Sequence, residues 1–233
     1  GPDLSVENLL NDGYSAVYLA MGAHKGIGLG IPGEKSEGVQ QGVDFLREVN
    51  LKGTAPVGKK IAIVGGGNVA IDVSRSAVRL GAEEVNIIYR RTRDEMPAWE
   101  HEIQAALEEG VNIINCFGPN RFLQEDGRFS GIEFKRCTCV FDEDGCFNPQ
   151  YDVTDLSKLE GDTVIVAIGQ AADLSFAEKQ GIPVSSAGTL EVDPITLETS
   201  LKGVFAGGDV YHGPASIAEA IGSGREAATS IDR

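Results

Sequence analysis

Three short apolar runs along the chain each end at a glycine: residues 16–21 before Gly22, residues 61–64 before Gly65, and residues 163–168 before Gly169. Runs without charge suit strands buried on both faces, and the glycine that follows suits a tight turn out of the sheet. The first and third are alike in register. Ala-Val-Tyr-Leu-Ala-Met-Gly-Ala begins at Ala16 and Thr-Val-Ile-Val-Ala-Ile-Gly-Gln at Thr163. This likeness predicts two related domains, each closing on such a strand.

From residue 59 to residue 168 the pattern alternates between strand and helix. A glycine turn leads to a helix over 69–80, a strand over 84–89, a helix over 98–109 and a strand over 112–116, which is a βαβαβ unit. Residues 121–123 and 131–139 with the turn 142–145 predict an antiparallel meander inserted before the closing strand. Residues 34–57 carry Pro56 and several glycines around an amphipathic piece, 41–49, with Val43, Phe45, Leu46 and Val49 apolar; they predict a linker with one helix. After residue 170 a proline-bearing connector leads to a strand over 203–206, the turn Gly207-Gly208-Asp209 and a small-residue helix over 215–230. The expected fold class is therefore α/β, a Rossmann-like three-layer fold with a parallel sheet and an antiparallel meander. Residues 58–169 form one complete nucleotide domain, and 1–33 and 170–233 form parts of a second.

Composition narrows the function. With 42% hydrophobic and 24% charged residues the chain is globular rather than disordered. Thirty-five acidic against 20 basic residues give a formal charge of −15, a field that repels polyanions and argues against a nucleic-acid partner. No apolar stretch approaches the roughly 20 residues that span a bilayer, and no secretory signal opens the chain, so no membrane association and a cytoplasmic location are expected. Cys137, Cys139 and Cys146 cluster in the meander with neither Cys-x-x-Cys nor iron–sulfur spacing. Alternation puts Cys137 and Cys139 on one sheet face, so packing rather than a metal site is expected, and a disulfide relay is not. His24, His101 and His212 are scattered, with no nucleophile at a suggestive spacing. Trp99, Ile103, Ala106 and Leu107 are read as the packed face of the helix that Pro97 opens.

The chemistry-bearing segment is Val64-Gly65-Gly66-Gly67-Asn68-Val69-Ala70. It places Gly-x-Gly-x-x-Ala directly after a strand and before a helix. Gly65 permits the turn, Gly67 lets backbone approach a pyrophosphate, and Ala70 lets helix and strand pack closely. About twenty residues on, a site selective for NAD would present a carboxylate to the ribose hydroxyls. Here the strand ends Tyr89-Arg90-Arg91-Thr92-Arg93. Guanidinium groups at that place suit a 2′-phosphate, so NADPH is favoured over NADH. The competing reading is a solvated cluster in which Arg90, Arg91 and Arg93 pair with Asp94 and Glu95.

A second signal is the strand ending Gly207-Gly208-Asp209, followed by Gly213-Pro214-Ala215-Ser216 at a helix start. An acid there can accept from a sugar-like hydroxyl, and the helix start can present N–H groups. A turn or capping role explains Asp209 equally well.

Taken together, residues 16–23, the turn at 64–72, Tyr89-Arg90-Arg91 with Met96-Pro97-Ala98, the strand ending Ala167-Ile168-Gly169, and residues 203–209 with the helix beyond resemble the small (β) subunit of NADPH-dependent glutamate synthase and the matching part of dihydropyrimidine dehydrogenase. The resemblance covers nearly the whole chain. It implies paired FAD- and NAD(P)-binding domains, hydride transfer from NADPH to FAD, and electron flow onward to an iron–sulfur domain or subunit such as a glutamate synthase large subunit. It also implies that Gly65, Gly66, Gly67, Asn68, Val69 and Ala70 line the pyrophosphate and that Arg90 and Arg91 hold the 2′-phosphate. Gly169, Gly208, Asp209 and Ser216 would contact the cofactors, the last three on the FAD side. Family members carry a cysteine-rich iron–sulfur segment and a first FAD-binding glycine motif upstream of the residues matched here. The chain is therefore expected to be a fragment, with FAD bound in the full-length parent rather than by this chain alone. Uncovered apolar strands make a homo-oligomer a further expected outcome. A nucleotide-binding regulatory or docking module without turnover is the alternative function.

Overall fold

The computed structural model describes residues 5–233; residues 1–4, the start of the expected segment 1–33, lie outside the described residues. In chain order the elements are α1 (Val6–Asn11), β1 (Val17–Leu19), β2 (Lys25–Gly26), β3 (Val39–Gln41), α2 (Gly42–Lys52), β4 (Lys60–Val64), α3 (Asn68–Arg79), β5 (Glu84–Tyr89), α4 (Glu100–Glu108), β6 (Asn112–Asn115), β7 (Phe117–Glu125), β8 (Arg128–Phe141), β9 (Phe147–Glu160), β10 (Thr163–Val166), β11 (Gln170–Ala171), α5 (Ser175–Lys179), β12 (Val204–Ala206), α6 (Asp209–His212) and α7 (Ile217–Ile231). Two compact units result. One is Gly26–Gly169; the other joins the described residues up to Lys25 with Gln170–Arg233. Among the described residues no helix is long and apolar enough to cross a membrane.

Within Gly26–Gly169 the strands β3-β10-β4-β5-β6 form one parallel sheet. The two-residue period of a strand sorts its side chains. Ile61 and Ile63 of β4, with Ile87 of β5, meet Phe45 of α2, Ile71 and Val73 of α3 and Ile103 of α4. Ala62, Val64, Ile88, Val164 and Val166 point the other way and meet Phe122, Phe129, Ile132 and Phe134. Those aromatics belong to the antiparallel sheet β7-β8-β9. Burial of each large aliphatic side chain contributes roughly 1.5–3 kcal/mol, which accounts for three layers: helices, parallel sheet, antiparallel sheet.

The order β3-β10-β4-β5-β6 has a topological switch between β10 and β4, where ligands of open α/β sheets gather at the carboxyl ends of the strands. Gly65 follows β4 and Gly169 follows β10, and both adopt φ of +146°.

Five expectations need correction. Residues 34–57, expected as a linker, supply β3 and α2 to the parallel sheet and its helical layer. The strand escaped notice because Val39-Gln40-Gln41 lies at the sheet edge, half-buried, where amide side chains are tolerated; residues 26–33, expected with the second domain, also fall in this unit. Cys137 and Cys139 do not share a face. A register shift sets Cys137 opposite Tyr151 and Cys139 opposite Gln150, so Cys137 is buried and Cys139 exposed. Trp99 is 66% exposed because it precedes α4 as its N-cap instead of lying on its buried face. Leu107 is also exposed, since Ile103 and Ala106 alone bury α4.

In the other unit β1 and β12 pair in parallel. Val6, Leu19, Leu174, Ala177, Ile182, Leu190, Val204, Ala206 and Val210 form its core.

One buried charge ties the antiparallel sheet together. Glu133 of β8 is buried and accepts two hydrogen bonds from Arg121, at 3.0 and 3.1 Å, and one from Asn120 at 2.9 Å. Those bonds, with Arg121 first, hold its carboxyl below the usual range. A depressed folded-state value means that the stabilisation is fully present above the ordinary carboxylate value of about 4.3 and is lost as pH falls through the depressed one. Glu133→Gln should therefore lower the denaturation midpoint at neutral pH, with the gap to the parent closing below about pH 4 in urea titrations. A gap that does not change with pH would refute this account of Glu133.

Candidate functional site

The turn between β4 and α3 is shaped by three glycines with different reasons. A Cβ on Gly65 would stand 2.2 Å from the Ala167 carbonyl oxygen, so β4 and β10 could not end side by side. A Cβ on Gly66 would stand 2.4 Å from the Tyr89 ring. Tyr89 is buried, and its hydroxyl donates to the Glu95 carbonyl at 2.9 Å. Gly67 differs. Its φ is −90°, open to any residue, and a Cβ there would meet only Pro97 Cγ at 3.9 Å. The chain itself does not require glycine at 67, and the open space lies over the start of α3.

Ala70 is fully buried against the sheet, and Val69 packs near Gly42 at the start of α2. Helix geometry leaves the first N–H groups of α3 without a preceding turn to bond. Ala70 and Ile71 bond back to the Gly67 carbonyl, at 2.9 and 3.2 Å, while Asn68 and Val69 stand ahead of them. No side chain caps this helix, and its first turn holds no acid. Every other α-helix among the described residues has an acidic residue in its first turn. In a chain of charge −15, α3 keeps its positive dipole end uncancelled, the arrangement that attracts an anion. The Asn68 side chain is already engaged: its Oδ1 accepts from the Trp99 amide at 3.0 Å and ties the start of α4 to the turn.

Arg90 and Arg91 follow β5, both half-buried. Neither forms an ion pair among the described residues; Arg93, by contrast, pairs with Glu100 at 2.9 Å. Of the two acids expected to neutralise the cluster, Asp94 is exposed and forms no ion pair among the described residues, and Glu95 is engaged with Thr92. Glu95 accepts from the Thr92 hydroxyl and amide, at 2.7 and 3.0 Å, and those bonds hold its carboxyl low, with Arg91 adding a smaller through-space attraction. Glu102 pairs with Arg75, joining α4 to α3. The Arg90 guanidinium instead lies 4.4 Å from the centroid of Phe147, and that of Arg91 lies 4.8 Å from the centroid of Phe141. Arg91 Nε is buried with no hydrogen-bond partner among the described residues. Two guanidinium groups are thus fixed, partly desolvated and unneutralised, which is costly unless an anion completes them.

In the other unit, a Cβ on Gly207 would stand 2.2 Å from the Tyr18 hydroxyl, and Gly208, at φ +69°, donates its amide to Ser223 Oγ at 2.7 Å. Asp209 Oδ1 accepts from the Ala215 amide at 3.3 Å. Ser216, expected among the cofactor contacts, is a helix cap: its amide and hydroxyl donate to Glu219, at 2.8 and 2.6 Å, and its hydroxyl accepts from the Glu219 amide. The carboxylate of Glu219 thus already meets the positive end of α7, unlike that of α3. These residues form no phosphate cradle comparable to the turn at 65–69.

Cavities of about 670 and 620 Å³ lie at Glu37, Lys59, Arg128 and Asp162 and at residues 30–36 with Gln124. The first opens beside Lys59 and Thr163, where β4 and β10 begin, and is thus at the opposite end of those strands from the glycine turn. Among the described residues no group of three or more His, Cys, Asp or Glu is placed to hold a metal ion.

The pattern defining pyridine nucleotide-disulphide oxidoreductases matches residues 3–224. The chain belongs to that family. It is 43% identical over 237 residues to the NADP(+)-dependent formate dehydrogenase subunit beta of Moorella thermoacetica, a match spanning all of this chain and 33% of that protein. It is 33% identical over 246 residues to the glutamate synthase [NADPH] small chain of Halomonas elongata, a match spanning 99% of this chain and 52% of that protein. The chain therefore covers between a third and about half of these relatives. Mycobacterium tuberculosis FprA in complex with NADPH is similar at a TM-score of 0.75 with 18% identity, over 97% of this chain and 64% of that one. That likeness carries the fold, an FAD/NAD(P)-type α/β architecture.

Within this family member, the sequence did not single out Phe141, Phe147 or the contact of Asn68 with Trp99. An isolated phenylalanine near a turn carries no local signal of what it faces.

The glycines separate shape from binding. Gly65→Ala should cost about 2–3 kcal/mol in urea denaturation, from strained backbone and the clash at Ala167. Gly67→Ala should stay within about 1 kcal/mol of the parent, because a less flexible unfolded chain offsets a weaker cap. Equal losses for the two would contradict the division.

Proposed function

We propose that this chain is the NADPH-binding portion of an NADPH-dependent flavoprotein oxidoreductase resembling the glutamate synthase small chain. The observation that carries the reading is the open, uncapped and acid-free start of α3, together with two guanidinium groups left without carboxylate partners at the end of the adjacent strand. The roles follow from chemistry. The N–H groups of Gly67, Asn68 and Val69 would face the pyrophosphate, with Gly65, Gly66 and Ala70 giving the turn its shape. Arg90 and Arg91 would grasp the 2′-phosphate through planar donors that suit its oxygens. Gly169, at the end of the strand beside the turn, would border the same crevice.

When bound, NADPH supplies a hydride and FAD accepts it. What this chain's own residues contribute is binding, orientation and a local positive potential, and no side chain is assigned a proton-transfer step. Gly208 and Asp209 are assigned to the FAD side of the longer protein. Asp209 is half-buried, and one of its carboxylate oxygens is already held by Ala215. Onward delivery of electrons to an iron–sulfur domain or subunit belongs to the same proposal. It is supported by relatives named as subunits or chains of larger enzymes: the formate dehydrogenase subunit beta and the glutamate synthase small chain.

Arg91→Ala tests the reading by calorimetry. Loss of a hydrogen-bonded charge contact should weaken NADPH binding about 10- to 100-fold and leave NADH binding unchanged. Equal effects on the two coenzymes, or none on either, would overturn the assignment of the 2′-phosphate.

A further inference from the structure

The rings beneath the two arginines come from a different sheet. Phe141 ends β8 and Phe147 opens β9, so they flank the tip of one hairpin. Their rings meet edge to face at 6.3 Å, and they are 42% and 54% exposed. One ring lies under Arg91 and the other under Arg90. Tyr151, further along β9 of the same hairpin, lies near Arg90.

The backbone fixes this meeting. Cys116, between β6 and β7, adopts φ of +62°, a left-handed conformation that is unfavourable for a non-glycine residue. Its amide donates to the Arg91 carbonyl at 3.0 Å, and its carbonyl accepts from the Cys137 amide at 2.8 Å. Asn115 Nδ2 also donates to the Arg91 carbonyl, at 3.1 Å. The arginine segment and the hairpin strand are thereby both tied to the backbone of one residue, Cys116.

A guanidinium stacked on an aromatic face keeps its edge N–H groups free, and its side chain has already lost much of its freedom before any ligand arrives. A carboxylate in the ring's place would hold the arginine equally well but would neutralise it. We infer that Phe141 and Phe147 are positioning residues that hold Arg91 and Arg90 over their rings and uncancelled for the 2′-phosphate, so that discrimination between NADPH and NADH depends on the inserted hairpin as well as on the strand that carries the arginines. The inference rests on the proposed function.

The test is calorimetric titration of the full chain with NADPH and with NADH, for the parent, Phe141→Leu, Phe147→Leu, the double Leu variant, the matching Tyr variants, and Arg91→Ala. Leucine keeps an apolar side chain at these exposed positions and removes only the ring face. Each Leu variant should lower the NADPH-to-NADH affinity ratio about two- to fivefold and the double variant about tenfold, while Tyr, which keeps a ring face, stays within about twofold of the parent. NADH affinity should not change. If the double Leu variant retains the parental ratio while Arg91→Ala loses it, the positioning role is overturned and the coenzyme assignment stands. If Arg91→Ala also retains the ratio, both fall. A parallel fall for both coenzymes would also overturn the inference, since it would mean damage to the whole cleft.

Discussion

In the proposed reading, a dinucleotide bearing three phosphate groups must find favourable charge on a chain whose formal charge is −15. Long-range attraction cannot supply it. At physiological salt, fields fade over about 8 Å, so what decides binding is charge within contact distance that no protein group has already cancelled. The region around the glycine turn meets that constraint through two devices, an uncapped helix start with no acid in its first turn and arginines that rest on rings. Several other arginines of the described residues are paired with acids. Arg75 and Arg79 share Glu109, Arg121 binds Glu133, Arg128 binds Glu37 and Arg136 binds Asp155.

The layers of the Gly26–Gly169 unit make this arrangement possible. Parallel order places the carboxyl ends of β4, β5 and β10 together, and the turn glycine after β4 is pressed against the Ala167 carbonyl after β10. Tyr89 fills the space beneath Gly66 at the end of β5, which sets the start of the arginine segment against the turn. The antiparallel sheet then covers the opposite face through Phe122, Phe129, Ile132 and Phe134 and brings its hairpin tip to the arginines. An element that looks like an insertion in the βαβ pattern is thus packed into the core at one end and against the candidate site at the other.

Much of the unit was legible because burial writes itself as pattern. Residues 84–89 read as a strand match β5, and the helix read over 69–80 differs from α3 by a single residue at each end. Apolar runs with glycine punctuation carried those readings. Edge strands leave no such mark. β3 is two-thirds glutamine, and β9 alternates between half-buried and exposed positions among polar residues, so neither offered an apolar run to follow. The bulge separating Cys137 from Cys139 and the left-handed Cys116 are set by tertiary contacts, which propensity does not see. In the site, the glycine turn and the arginines were visible in short windows of sequence. The rings that hold the arginines lie far along the chain, and their part emerges only where β-pairing brings the hairpin back. Ser216 has a structural role beside any contact with a cofactor: with Glu219 three residues on, it forms the capping box of α7.

The central claim is that the turn at residues 65–69 and the guanidinium pair at 90 and 91 together form one coenzyme site. A crystal structure of the chain grown with NADPH tests it most directly. The account predicts the pyrophosphate against the amides that open α3 and the 2′-phosphate within hydrogen-bond distance of Arg90 and Arg91, with both guanidinium planes still on their rings. Coenzyme bound elsewhere, or bound at the turn with the 2′-phosphate in solvent and the arginines turned away, would contradict it.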